Sequence, residues 1–173
     1  MWDWVVAWRG EIVAVAAVVL TYSVLGLAFR KPVGRMMIGG MLLGLGIEFS
    51  TEPEWTYSLQ CYVWRDVSPF VMVGWGAHMT WLVLLSEWLF RKLFRSDPGN
   101  DFRLLITDVL AGVPLLTTGE LLGLHVLRIW KYETCLEWNT MIPGIQYPVE
   151  GVICMVPFVL GMPSVVRFWR GSW

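Results

Sequence analysis

Five long runs of apolar residues, separated by short polar connections, dominate the pattern along the chain. They cover about residues 11–29, 36–50, 67–90, 103–126 and 147–168. A helix needs roughly 20 apolar residues to cross the hydrocarbon core of a bilayer. The pattern therefore predicts an all-α integral membrane protein with five transmembrane helices in a single domain, residues 1–173. The second run is the shortest and requires a thinned bilayer or a polar outer end.

Basic residues are unevenly distributed among the polar connections, which predicts an orientation. Nine of the 13 lysines and arginines fall in the first and third connections and after the last helix, namely Arg30, Lys31, Arg35, Arg91, Lys92, Arg95, Arg103, Arg167 and Arg170. Lysine and arginine favour the cytoplasmic side of a membrane. We therefore expect the N-terminus on the extracytoplasmic side and the C-terminus in the cytoplasm.

Composition and charge agree with this class of protein. Hydrophobic residues make up 56% of the chain and charged residues 16%, against about 25% charged in soluble domains. The net charge of −1 argues against a nucleic-acid partner, because binding phosphates requires a basic surface. The N-terminal sequence MWDWVVAWRGE lacks a basic stretch and a small-residue cleavage site, so we expect the first helix to be retained.

A short aromatic motif occurs twice between apolar runs. WTYSLQCYVW at 55–64 and WKYETCLEW at 130–138 both read W-x-Y and then C-x-x-W. This spacing predicts that helix 1 is followed by two tandem helix–loop–helix repeats, about residues 36–90 and 103–168. Both motifs then lie on the outer side, where an aromatic belt at the headgroups accounts for most of the 12 tryptophans.

The helix before each motif carries a G-x-x-x-G pattern. The pairs are Gly40 with Gly44 and Gly119 with Gly123. Small residues at this spacing let helix backbones approach closely in lipid. We therefore expect helices 2 and 4 to cross near the centre of the bundle.

Three glutamates are the candidate chemical groups. Glu48, Glu120 and Glu150 lie in the outer parts of predicted helices, where carboxyl groups are costly and often functional. An apolar environment favours the neutral form of a carboxyl group, which can then donate a proton. The alternative is that each one reaches the headgroups or bonds a tyrosine, tryptophan or backbone group. Glu87 is instead expected to pair with Arg91, one turn later.

The histidines and cysteines give weaker indications of a functional site than the glutamates. His78 and His125 lie at depths about 15 Å apart, too far for one haem to bridge axially, and no zinc-binding spacing is present, so we expect no metal or haem site. Cys61 and Cys135 occupy equivalent positions on the outer side, where a disulfide can form. Two reduced, buried thiols are the alternative.

The second repeat resembles a known group of enzymes. An acid in an outward-running helix, then W-x-Y, then WNTMIPGIQYPVEG at 138–151, is similar to the heterodimeric-type lycopene cyclase domains and the carotenoid hydratases. Pro148, Val149 and Glu150 stand at the family's Gly-x-Pro-x-Glu-type stretch, while Gly151 occupies the place of a second acid. The first repeat, SPFVMVGWGAH at 68–78, keeps the proline without the acid. Fungal membrane terpene cyclases share the same general plan.

The resemblance implies a reaction on a polyisoprenoid without a cofactor. A neutral carboxylic acid, here Glu48, Glu120 or Glu150, would protonate a carbon–carbon double bond, and the lipid would enter sideways between helices. Aromatic faces would then stabilise the carbocation, and the candidates in this chain are Trp55, Tyr57, Trp64, Trp75, Trp130, Tyr132, Trp138 and Tyr147.

A second interpretation from another class stays open. The chain could be a non-catalytic subunit of a larger membrane complex that binds pigment, haem or quinone, or it could form a homo-oligomer. The glutamates would then be structural hydrogen-bonding groups. An enzyme requires Glu48 and Glu120 to converge on one lipid-accessible cavity lined by the repeated aromatic residues, whereas a subunit would show them dispersed or facing another chain.

Overall fold

The computed structural model describes residues 2–51, 54–134 and 138–171, which are mostly helical. Within these ranges six helices follow one another in the chain: α1 (Trp2–Ala7), α2 (Arg9–Ala28), α3 (Val33–Thr51), α4 (Pro69–Phe94), α5 (Leu104–Leu127) and α6 (Val149–Arg170). The last parts of α2 and α5 widen into π-helix, from Thr21 and from Leu122.

Five helices of the described chain, α2 to α6, are long and apolar enough to cross a membrane. This confirms the predicted number of long apolar helices and indicates a membrane protein. The second of them, α3, is longer than its apolar run because it begins at Val33, three residues earlier, and ends one residue later at Thr51. The hydroxyl groups of Ser50 and Thr51 donate to the backbone carbonyl of Ile47, at 3.0 and 2.7 Å, so these side chains are satisfied by the helix itself.

The helix α4 is the centre of the bundle and packs against α2, α3, α5 and α6. Its closest neighbour is α3, because Gly40 and Gly44 face it. A Cβ atom on Gly40 would lie 3.0 Å from Cα of Gly76, and one on Gly44 would lie 2.4 Å from Cβ of Trp75. The G-x-x-x-G pair of α3, the second predicted helix, therefore packs against α4, the third predicted helix. The expectation that it would cross the fourth predicted helix, α5, was wrong.

Buried charges join the ends of α4, α5 and α6 that lie opposite the aromatic motifs. The guanidinium of Arg167 donates to both oxygens of Asp108 and to the hydroxyl of Ser86. Glu87 accepts from Arg170, while Arg91 bonds Asp97 at 3.2 Å. The expected side-chain pair of Glu87 with Arg91 is therefore wrong, because α6 brings two arginines to the carboxylate of Glu87.

Four short strands lie at the other end of the bundle, which we call the rim. They are β1 (Trp55–Tyr57), β2 (Trp130–Tyr132), β3 (Met141–Ile142) and β4 (Tyr147–Pro148). The strands β1 and β2 are the two W-x-Y sequences, and they pair antiparallel with each other, Trp55 opposite Tyr132 and Tyr57 opposite Trp130. This reciprocal pairing, which the sequence did not predict, joins the segment after α3 to the segment after α5.

Candidate functional site

The first acid of the site is Glu48, near the rim end of α3. Its side chain is 1% exposed. Oε1 accepts a hydrogen bond from the hydroxyl of Tyr57 at 3.1 Å and another from the indole Nε1 of Trp75 at 2.9 Å. Glu48 therefore connects its own helix to β1 and to α4.

The second acid, Glu120 on α5, is bound in the same way. Its Oε2 accepts from the hydroxyl of Tyr132 at 2.9 Å and from the indole Nε1 of Trp130 at 3.2 Å. Side chains two residues apart on a strand lie on the same face, so W-x-Y presents its indole and phenol together. Each acid therefore bonds the tyrosine of the strand that follows its own helix.

The two acids lie close enough to share a neighbour. Burial raises the pKa of Tyr57 well above its ordinary value, and the neighbouring carboxyl groups of Glu48 and Glu120 raise it further. Burial and the neighbouring carboxyl group of Glu120 likewise raise the pKa of Tyr132. Both phenols consequently stay protonated over the physiological range and act as hydrogen-bond donors.

A cavity of about 310 Å³ opens beside Glu120, and we call it the chamber. Its walls come from α2, α4 and α5, with β1 and β2 at the rim end. Cavities of about 300–1,000 Å³ accommodate small ligands. Five of the candidate aromatic residues line it together with Glu120, namely Trp55, Tyr57, Trp75, Trp130 and Tyr132.

The remaining candidate aromatic residues do not line the chamber. Trp138 and Tyr147 are buried behind it, where Trp138 packs on Trp55 and Tyr147 packs edge-on against Tyr132 at 5.1 Å. Trp64 lies on the outside of the molecule, 44% exposed, with the guanidinium of Arg65 over its ring. Two of these rings support the chamber wall, and Trp64 lies apart from it.

The third acid, Glu150, is not part of this arrangement. It lies in the first turn of α6, partly exposed, and Oε2 accepts from the backbone N–H of Thr140 at 3.4 Å. Cys61 is half-buried near the rim. Its expected partner, Cys135, lies outside the described residues, so the disulfide stays a prediction.

The two histidines occupy different environments. The ring of His78 lines the chamber, whereas His125 lies at the rim end of α5 with Nε2 2.8 Å from the carbonyl oxygen of Ile145. In the part of the chain that the structure describes, no three histidine, cysteine or acidic side chains come together as a metal site would require.

The sequence did not predict that Glu11 is a buried acid. Glu11 on α2 is 3% exposed, and its Oε1 accepts from the backbone N–H groups of Gln60 and Cys61. It follows Arg9 and Gly10 at the edge of the first apolar run, where a charged residue is expected at the membrane surface. Its bonds to the connection after β1 hold that segment over the rim end of α2.

Comparisons with protein families, with curated proteins and with solved structures find no match to this chain.

Proposed function

We propose that this protein is an integral membrane enzyme that protonates a double bond of an isoprenoid or carotenoid-like lipid, as a cyclase or hydratase does. One observation carries the proposal. The carboxyl group of Glu120 and five aromatic rings line the same chamber, whose other walls are mostly apolar. A carboxylic acid among electron-rich rings is the combination that such a reaction needs.

We assign the proton donor to Glu120, because it lines the chamber. Its O–H proton would move to one carbon of the double bond and form a C–H bond there. The carbocation left on the other carbon would lie between the aromatic faces. Loss of a neighbouring C–H proton, after ring closure, or addition of water and loss of its proton would end the reaction and restore the acid.

Glu48 has a positioning role in this proposal. It does not line the chamber, but its hydrogen bonds hold Tyr57 and Trp75, which do. Glu150 is left out of the proposed site because it lies apart from the chamber. The two W-x-Y strands and the two acids bonded to them support the interpretation of the chain as helix 1 followed by two repeats.

The lipid would reach the chamber sideways, between α2 and α5. Gly10, Val13, Ala14 and Ala17 give α2 a small apolar face toward the chamber. At the rim end, Nε of Arg9 donates to the carbonyl oxygen of Leu127 at 2.6 Å and closes this gap from the outside. We place the rim on the extracytoplasmic side, as the distribution of basic residues predicts.

The proposal is tested with a Glu120→Gln variant and a Glu150→Gln control. Glutamine keeps an oxygen that can accept from Trp130 and Tyr132 but has no acidic proton. We expect conversion to fall by at least about 100-fold, the contribution of a general acid, with no change in folding. The reactions are run in D₂O, in cells that accumulate lycopene and in nanodiscs loaded with squalene or geranylgeraniol. Lipids are then extracted, and the products are measured by mass spectrometry.

Two results decide the outcome. Deuterium on carbon in the product of the wild-type protein and of the control, with little in the Glu120→Gln product, supports the proposal. Equal conversion by Glu120→Gln and wild type contradicts it.

The non-catalytic alternative has one observation in its favour. The carboxyl groups of Glu48 and Glu120 each accept two hydrogen bonds from the protein, as a purely structural acid does. Under this alternative Glu120→Gln would leave the function of the complex intact, and the chamber would hold a pigment or quinone that is not converted. Recovery of such a molecule unchanged with the purified protein would favour it.

A further inference from the structure

The imidazole of His78 is an unused polar group in the wall of the chamber. His78 lies on α4, one turn after Trp75, and the two rings meet edge to face at 6.2 Å between centroids. Its Nε2 is buried, and among the described residues no group hydrogen-bonds to it. Buried polar atoms in proteins nearly always have a partner, so this one calls for an explanation.

The surroundings of His78 offer no protein group to fill this role. Across from the ring lies Gly119 on α5, where an added Cβ would be 3.5 Å from Cε1 of His78. The Cε1–Nδ1 edge of the ring therefore faces a position of α5 that carries no side chain. Apolar side chains of α2 and Leu116 form the nearby walls. His78 lines the chamber, so the chamber is the space from which we expect the missing partner to come.

We propose that the occupant is an isoprenoid that carries an oxygen atom, and that this oxygen hydrogen-bonds to the imidazole of His78. A neutral imidazole offers one N–H donor and one acceptor nitrogen, so a hydroxyl group can bond either one. This inference rests on the proposed function, because it specifies the substrate of the same chamber. It distinguishes an oxygenated isoprenoid from a pure hydrocarbon.

The position of the oxygen follows from the contact with Gly119. Glu120 is the next residue on α5, about 1.5 Å further along the helix axis. His78 and the acid are therefore at nearly the same depth, on different helices that line one cavity. The bound oxygen would lie close to the double bond that Glu120 protonates, which fixes the register of the lipid chain in the chamber.

A water molecule bound to His78 is the competing explanation, and the test separates the two. Protein labelled with ¹⁵N-histidine is placed in nanodiscs and titrated with geranylgeraniol, or with the matched hydrocarbon in which a methyl group replaces the hydroxymethyl group. The chain has 2 histidines, so each resonance can be assigned by a single substitution. His125 bonds the backbone outside the chamber and is the internal control.

The inference predicts that the ¹⁵N resonances of His78 move with the alcohol and stay in place with the hydrocarbon, while those of His125 stay in place with both. An unchanged His78 signal in the presence of the alcohol would overturn it. Equal movement with both ligands would also overturn it, because a water molecule or a general change in the chamber would then explain the response.

A binding measurement with variants gives a second readout. In His78→Leu, we expect the preference for the alcohol over the hydrocarbon to fall by about tenfold, the effect of losing one hydrogen bond in a dry site. His125→Leu should keep the full preference. Retention of the preference in a folded His78→Leu variant would count against the inference, and the wild-type titration remains decisive if this variant does not fold.

These results are separable from a failure of the proposed function. A His78 response to the alcohol without deuterium incorporation into any product would remove the enzymatic proposal alone. Deuterium incorporation into the hydrocarbon, with no response of His78 to the alcohol, would remove this inference alone.

Discussion

At the residue scale, the two acids near the rim differ in what they face. Glu120 lines the chamber, whereas Glu48 is enclosed by Tyr57 and Trp75 and is 1% exposed. The indole of Trp55 also approaches the Glu48 carboxyl group. In the proposed mechanism the two glutamates would therefore have different roles, Glu120 donating a proton and Glu48 holding aromatic rings.

This difference gives a prediction for Glu48. Glu48→Gln keeps an oxygen that accepts from Tyr57 and Trp75, so the hydrogen bonds that hold these rings remain and we expect conversion within about threefold of wild type. Glu48→Leu leaves both donors buried without an acceptor. We expect it to lower the melting temperature in nanodiscs and to reduce conversion by about tenfold.

Product yields and thermal unfolding of the two variants check this assignment. A loss of conversion in Glu48→Gln as large as that in Glu120→Gln would mean that both carboxyl groups take part in proton transfer. The positioning role would then be wrong.

Candidate site residues could be predicted where the hydropathy of the surrounding sequence is enough to identify them. A carboxyl group inside an apolar run is conspicuous, so the sequence alone identifies Glu48 and Glu120 as candidates. Glu150 has the same appearance in the sequence, but the turn before α6 leaves it partly exposed. His78 was considered in the sequence only as a haem or metal ligand, because only the packing around it reveals that it lines a cavity and that its Nε2 has no partner among the described residues.

At the scale of elements, close packing of α3 against α4 places Trp75 in the chamber wall. Gly44 permits this contact, since any Cβ there would overlap the Cβ of Trp75. Two residues further along the same helix, Gly46 has open space around it. The pair offers a matched comparison within one helix.

We expect Gly44→Ala to destabilise the protein by about 1–3 kcal/mol, the usual cost of overpacking. Gly46→Ala should be neutral or slightly stabilising, because alanine has the higher helix propensity. Thermal unfolding in nanodiscs compares the two variants. Equal stability of Gly44→Ala and Gly46→Ala would contradict the described contact between α3 and α4.

The long helices were predictable from their apolar runs, but the elements that build the rim were not. Three-residue strands such as Trp55–Tyr57 and Trp130–Tyr132 are too short for a pattern of alternation to identify them. Their pairing joins parts of the chain about 75 residues apart, and it depends on α3 and α5 ending side by side. The partner of the Gly40 and Gly44 pair was likewise decided by tertiary packing.

At the scale of the whole molecule, the distribution of basic residues predicts a direction of insertion. Arg91 and Lys92 in the last turn of α4, with Arg95 and Arg103 just after it, predict that the connection between α4 and α5 is cytoplasmic. This orientation predicts that the rim is extracytoplasmic. Asp97 in this connection is highly exposed, and Pro143 is exposed between β3 and β4, so both positions are accessible to labelling.

We expect opposite labelling of two single-cysteine variants, made with the three native cysteines replaced by serine. In spheroplasts, a membrane-impermeant maleimide should label Pro143→Cys directly and Asp97→Cys only after lysis. Labelling of Asp97→Cys in intact spheroplasts, with Pro143→Cys protected, would reverse the orientation.

The central claim is that an acid and aromatic rings surround one lipid-binding chamber. A crystal structure in lipid with N,N-dimethylgeranylgeranylamine tests it most directly, because the protonated amine imitates the carbocation. We predict that its chain occupies the space between α2, α4 and α5, with the nitrogen hydrogen-bonded to Glu120 and within about 6 Å of aromatic ring centroids. A chamber filled by side chains, or an amine bound elsewhere, would contradict the account.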